Sequence, residues 1–317
     1  MYARHGGLTL VEVIFILGII GLLAIVLFPA LQLARESSRL RQCQHHLQQL
    51  GMALQVHESS HGTFPPGVVA EGDNFRNGTH SGFVFLLPFL DQQTLFDAYD
   101  QSQPWDAAEN LAIGQAPIPL LLCPSNSSSV PQQGGLSGAP TDYAFCKGPY
   151  AYLCAIPAGG GMFDINSRIC SDDLTRGASH TMAVGEAASN ALLAATSAAD
   201  RSGLKMGQIW SKANFDGIDE ARHLGGRGSV LAVTAQNPGP DGVYGTQDDV
   251  LAPLNASPVA VSIDAQPGPD CSDHSDRVRG FYAYHRGGAN FAHADASVRF
   301  VSQDISQQVY RTLSQLQ

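Results

Sequence analysis

His57-Glu58-Ser59-Ser60-His61 has the spacing His-Glu-x-x-His, which on a helix sets both imidazoles on one face to bind zinc, with the glutamate as general base. Such a site needs a third ligand, and none stands nearby in the chain. Gly62 and Pro65 follow at once, so the last turn is expected to fray before His61, and the plain reading is a polar helix end. Near the other terminus, His285 and Asp295, with His293 between them, are the residue types of an acid/base pair or of metal ligands. A structural role is favoured there. His285, Asn290 and Asp295 surround a Gly-rich turn and can satisfy backbone groups in a hairpin ending in Ser297-Val298-Arg299-Phe300-Val301. Between Gly239 and Asp249, the carboxylates Asp241, Asp248 and Asp249 lie among glycines that let the backbone fold back. Convergent oxygens of this kind can wrap a hard cation at about 2.3–2.6 Å. Glycine-aspartate turns also form without metal, so an ordinary acidic turn is the plain reading and calcium the one cofactor these residues suggest; the spacing is not that of an EF-hand. A Gly-x-Ser-x-Gly elbow, a Walker loop and a Cys-x-x-Cys pair are all missing from the sequence, so catalysis is not expected.

The elements that position these groups begin with an apolar run from Leu8 to Phe28, as long as the roughly 20 residues that cross a hydrocarbon core as a helix. One carboxylate, Glu12, interrupts it, and at that depth a charge needs a partner or a task. Arg4 and His5 precede the run while Arg35, Arg39 and Arg41 follow it, so charge alone does not orient the segment. The small residues Gly6 and Gly7 lie before the apolar stretch, the reverse of an ordinary secretory signal, so cleavage there retains the helix. Beyond Pro29 the helix is expected to continue to about Ser60, with Leu40, Cys43, Leu47, Leu50 and Leu54 forming one apolar stripe. Pro65-Pro66-Gly67 stops it.

With 317 residues, 44% hydrophobic and 15% charged, the chain can bury a substantial core. A formal charge of -10 argues against nucleic acid as a partner, because a binding surface for phosphates needs clustered Lys and Arg. The 33 glycines and 18 prolines point to short strands joined by many loops. Phe83 to Leu87, Pro119 to Cys123 and Met182 to Gly185 read as strands, and Asp91 to Tyr99 as a short amphipathic helix with Leu95, Phe96 and Tyr99 as its contacts. Six cysteines become disulfide candidates if the domain is exported.

Arg4-His5-Gly6-Gly7-Leu8-Thr9-Leu10-Val11-Glu12 resembles the type IV prepilin leader. The resemblance implies a peptidase cut between Gly7 and Leu8, methylation of the new terminus, and pairing of Glu12 with the terminal amine of a neighbouring subunit. Leu8 departs from the usual Phe. The order of later signatures is similar to the large bacterial family named for a C-terminal H-x9-D-G motif, which carries a prepilin N-terminus. Matching stretches include Arg39 to Cys43, Phe64 to Gly67, Leu86 to Gln93, Pro104-Trp105, Leu122 to Ser125, Gly177 to Thr181, Val184-Gly185-Glu186, and His285 through Asp295. Ala296 stands where the family motif has Gly.

The resemblance implies an α+β, pilin-like fold: a long N-terminal helix, half in the membrane and half amphipathic, packed on an antiparallel sheet with loop-rich insertions. The corresponding divisions are a leader at 1–7, a transmembrane helix at 8–29, its amphipathic continuation at 30–61, and an exported domain at 62–317. It further implies an inner-membrane, single-pass protein with its domain in the periplasm or at the cell surface. The prepilin peptidase and other pilin-like subunits, or copies of the chain itself, are the expected partners. Relatives are catalogued either as type II secretion pseudopilins or as solute-binding-like domains, so a membrane-tethered binder of a sugar or other solute is the competing expectation. Cys43 and Cys123 look like recurrent positions of the family, and a bridge between them would staple helix to sheet. Cys146, Cys154, Cys170 and Cys271 can then supply two more bridges of undetermined connectivity.

Overall fold

The computed structural model describes residues 10–72, 78–126, 138–149, 160–188, 205–213, 224–228, 230–237, 250–251, 254 and 279–316. Helix α1 (Leu10–His61) runs unbroken for 52 residues, with Pro29 inside it. At 1.5 Å per residue it is about 78 Å long, far more than the domain needs. Its first half is exposed, as at Leu17, Leu23 and Phe28, whereas Cys43, Leu47, Leu50 and Leu54 are fully buried. The stripe read from the sequence is thus the seam that meets the domain. Fraying before His61 does not occur, because Gly62 adopts a left-handed φ of 79° and its N–H returns to the Glu58 carbonyl at 2.7 Å.

After α1 come strands β1 (Val68–Ala70) and β2 (Gly78–Ser81), which pair antiparallel. The run Phe83 to Leu87, expected as a strand, is instead helical: α2 (Gly82–Leu86) starts at Ser81, whose Oγ accepts from the Phe83 N–H at 3.2 Å, and a 3-10 turn follows at Leu87–Leu90. Pro119–Leu121, also expected as a strand, is another 3-10 turn, opened by Pro119. Short apolar runs fit a buried strand and a buried helix equally well, and here the hydroxyl cap and the proline decide. Between these turns lie α3 (Gln93–Ala98), close to its expected place, and α4 (Ala108–Ile113).

The central strands are β3 (Tyr143–Gly148), β4 (Met182–Glu186), β5 (Lys205–Gln208), β6 (Leu224–Gly228), β7 (Leu231–Val233), β8 (Ala235–Asn237), β9 (Val250–Leu251), β10 (Arg279–Gly280), β11 (Gly288–His293) and β12 (Val298–Ser302). Among the described residues the main sheet has six strands in the order β10-β7-β3-β4-β11-β12, and β5-β6 and β8-β9 pair separately. From β3 to β12 the pairing is antiparallel, as expected for the part beneath α1, but β7 and β10 add a parallel edge, making the sheet mixed. Helix α5 (Gln307–Ser314), capped by Ser306, closes the chain.

Every residue of β3, β4 and β11 is buried because the sheet is covered on both faces. Helix α1 packs on β4 and β11 on one side, and α5 meets β3 and β4 on the other. Alternation along β11 divides it accordingly: Ala292 joins the α1 core, while Ala289 and Phe291 join Tyr310 of α5. A buried ion pair between Lys147 and Asp164 explains how β3 carries a lysine through the core.

Candidate functional site

Where α1 leaves the exposed region and enters the core, Glu36, Cys43 and Gln44 meet His285, Cys123 and Asn290. Their spacing of seven and eight residues places them on one helical face. Glu186 ends β4 and is buried in a place where an unpartnered carboxylate would be costly. Asn290 of β11 supplies the compensation. Its backbone N–H donates to Glu186 Oε2 at 2.7 Å, and its Nδ2 lies 3.2 and 3.1 Å from the two carboxylate oxygens. The Asn290 Oδ1 in turn accepts from Gln44 Nε2 at 2.9 Å, tying the pair to α1.

His285 joins this pair from the loop before β11. Its Nδ1 lies 3.0 Å from Glu36 Oε1, and its Nε2 lies 3.2 Å from Glu186 Oε1 and 3.6 Å from Cys123 Sγ. Burial by itself lowers the pKa of this imidazole, but Glu186 and then Glu36 outweigh it and raise the pKa above the ordinary value. Glu36 shows the complementary balance: burial raises its pKa, and the hydrogen bonds from Ser125 and His285 bring it below normal. Ser125 Oγ donates to Glu36 at 2.8 Å, and Arg39 lies 3.6 Å away on the next turn.

The Cys43–Cys123 disulfide completes the cluster and staples α1 to the loop after the second 3-10 turn. That loop is itself fixed, because Asp142 accepts from the Cys123 N–H at 2.8 Å and from Asn126 Nδ2 at 2.7 Å. Cys43, Cys123, Glu186 and His285 each offer a metal-ligating atom, and all these atoms lie within 4.8 Å of one another in a buried space. The stretches Arg39 to Cys43, Leu122 to Ser125, Val184 to Glu186 and His285 through Asp295 are far apart in sequence, and their residues Cys43, Cys123, Glu186, His285 and Asn290 meet here. Glu36, Gln44 and Ser125 have no assigned role in the sequence reading. Glu36 carried one signal, a carboxylate seven residues before Cys43 on the apolar stripe.

The other motif residues go elsewhere. Asp295 caps the β11–β12 turn, accepting from Ser297 N at 2.9 Å and from its hydroxyl at 2.5 Å. His285 and Asn290 instead bind carboxylates, His285 those of Glu36 on α1 and Glu186 on β4, and Asn290 that of Glu186. Ala296 takes the left-handed conformation, φ 63°, that a glycine would favour there. His293 faces away from α1, with burial and the nearby Arg299 lowering its pKa to about 4. Neither of its ring nitrogens has a hydrogen-bond partner among the described residues. A cleft of about 360 Å³ opens beside it, lined by Arg299, Ser302, Asp304, Ile305 and Leu313.

His57 and His61 do share a helical face, their rings stacked at 4.3 Å. The Nδ1 of His57 is 3.0 Å from the Thr63 carbonyl and that of His61 is 3.1 Å from the His57 carbonyl. Glu58 accepts from the Ser171 N–H at 3.1 Å. Cys146 and Cys170 are free thiols, against the expectation that both enter further bridges, and burial pushes the Cys146 thiol up to about 12. Gly7, Leu8, Cys154, Cys271 and the calcium candidates Asp241, Asp248 and Asp249 lie outside the described residues. Glu12 stands in the exposed first half of α1.

Among known families, the one described as "Protein of unknown function (DUF1559)", SBP_bac_10, matches residues 32–308. No curated protein and no solved structure matches the chain.

Proposed function

The chain belongs to the DUF1559 family of proteins of unknown function, and on that premise we propose that it is a pseudopilin-like subunit that assembles in the inner membrane. The observation that carries this reading is the division of α1. One continuous helix is apolar and exposed at Leu17, Leu23 and Phe28, yet forms the domain core from Cys43 to Leu54. This is the only helix among the described residues long and apolar enough to cross a membrane. Such an exposed apolar surface needs lipid or the helices of neighbouring subunits to cover it.

In this reading a prepilin peptidase cuts between Gly7 and Leu8, and Glu12 pairs with the freed amine of an adjacent copy or relative. The domain stands in the periplasm or at the cell surface, where the Cys43–Cys123 bridge is chemically at home. Its work is recognition and assembly, not catalysis.

The test is cross-linking of membranes from cells with and without the peptidase, for wild type and Glu12→Ala. Oligomers that require both the peptidase and Glu12, from a variant whose exported domain stays folded, are the expected result. Processed protein that remains monomeric overturns assembly. It would favour the second reading, a membrane-tethered domain that binds a sugar or other small solute. The observation behind that alternative is the cleft at Arg299 and Asp304, where the buried His293 offers an unpartnered imidazole.

A further inference from the structure

We propose that in the dithiol form of the protein Cys43, Cys123, Glu186 and His285 hold a zinc ion, and that closing the Cys43–Cys123 disulfide releases it. The ligand set is two thiolates, one imidazole and one carboxylate, a combination that zinc takes in tetrahedral sites. Bond lengths of about 2.3 Å to sulfur, about 2.05 Å to nitrogen and about 2.1 Å to oxygen at tetrahedral angles require S···N near 3.6 Å and N···O near 3.4 Å. The structure has Cys123 Sγ to His285 Nε2 at 3.6 Å and His285 Nε2 to Glu186 Oε1 at 3.2 Å. Two edges of the tetrahedron are therefore already set. The sulfurs need only separate, which reduction permits.

The groups behind the ligands are also those a zinc site requires. His285 turns Nε2 inward because its Nδ1 is held by Glu36 at 3.0 Å, the carboxylate-histidine arrangement that orients metal-bound imidazoles. Glu186 keeps Oε1 toward the sulfurs because Asn290 N–H holds Oε2 at 2.7 Å. A zinc ion would join α1, the Cys123 loop, β4 and the loop before β11, the segments that the disulfide and the His285 contacts join in the oxidised form. The ion and the bridge are thus two alternative staples for one joint.

Exchange between them balances without a hidden reagent. A dithiol reductant attacks one sulfur of the bridge, the S–S bond breaks, and the second thiol of the reductant resolves the mixed disulfide. Two electrons pass to the cysteine pair and the reductant leaves as its own disulfide. Each cysteine thiol then gives up one proton as zinc binds, and His285 gives up the Nε2 proton that it donates to Glu186. Oxidation by a protein disulfide runs the sequence backwards and frees the ion.

The test uses the full chain in detergent, prepared with a phosphine reductant and zinc, dialysed, and assayed for metal. Reduced wild type is expected to retain one more zinc than a Cys43→Ser, Cys123→Ser variant, and oxidised wild type none at this site. Cobalt in place of zinc should give a thiolate charge-transfer band that the double variant lacks. Zinc should raise the melting temperature of the reduced protein and leave that of the oxidised protein unchanged. Glu36→Gln, which keeps every ligand, is expected to weaken zinc binding by roughly tenfold to a hundredfold. Equal zinc in reduced wild type and the double variant overturns the proposal. So does a cobalt complex without the charge-transfer band.

Discussion

Asn290 has each polar side-chain atom committed, its oxygen to Gln44 and its nitrogen to Glu186, so it fixes the direction of that buried carboxylate. Three residues along the same strand, His293 presents the opposite situation. Burial and Arg299 lower its pKa to about 4, against an ordinary 6.5. The unfolded chain therefore takes up a proton first as pH falls, so this contribution to stability is complete above about 6.5 and is lost on the way down to about 4. At about 1.4 kcal/mol per unit, that span is worth about 3 kcal/mol. His293→Leu removes the linkage, so its melting temperature should fall less than that of wild type between about pH 7 and about pH 5. Parallel acid-side slopes for the two proteins would falsify it. Of these residues, His285, Cys43 and Cys123 were legible because each lies in a stretch with a recognisable order. Glu36 and Glu186 were not assigned roles, because His285 reaches them across long sequence separations that no local pattern encodes.

Helix α1 shows how an element can carry both the anchor and the core. Its stripe was readable, since period 3.6 persists from Leu40 to Leu54. The runs at Phe83 and Pro119 were too short for period to separate helix from strand, and both became helical turns. At Gly51 the helix meets the β11–β12 turn so closely that an added Cβ would stand 2.8 Å from Ala296 Cα. Glycine to alanine inside a helix ordinarily gains about 1 kcal/mol. Forcing a methyl into packed backbone costs typically about 1–3 kcal/mol, so the sign should reverse. Gly51→Ala is expected to lower the melting temperature of the full chain in detergent, and a rise would show that the turn yields to the helix.

On the scale of the molecule, one sheet is shared between two cores, with α1 covering one face and α5 the other. The antiparallel part, β3 to β12, was implied by the pilin resemblance, whereas the parallel edge of β7 and β10 depends on pairings across long connections. What protrudes from this body is the apolar first half of α1. The proposed function turns on whether that half is the retained product of leader cleavage. Intact-mass measurement with N-terminal sequencing, on protein extracted from membranes of peptidase-competent cells, addresses this most directly. A mature chain beginning at Leu8, with or without an added methyl group, and absent from cells lacking the peptidase, is the predicted result. A chain that begins at Met1 in both strains contradicts it.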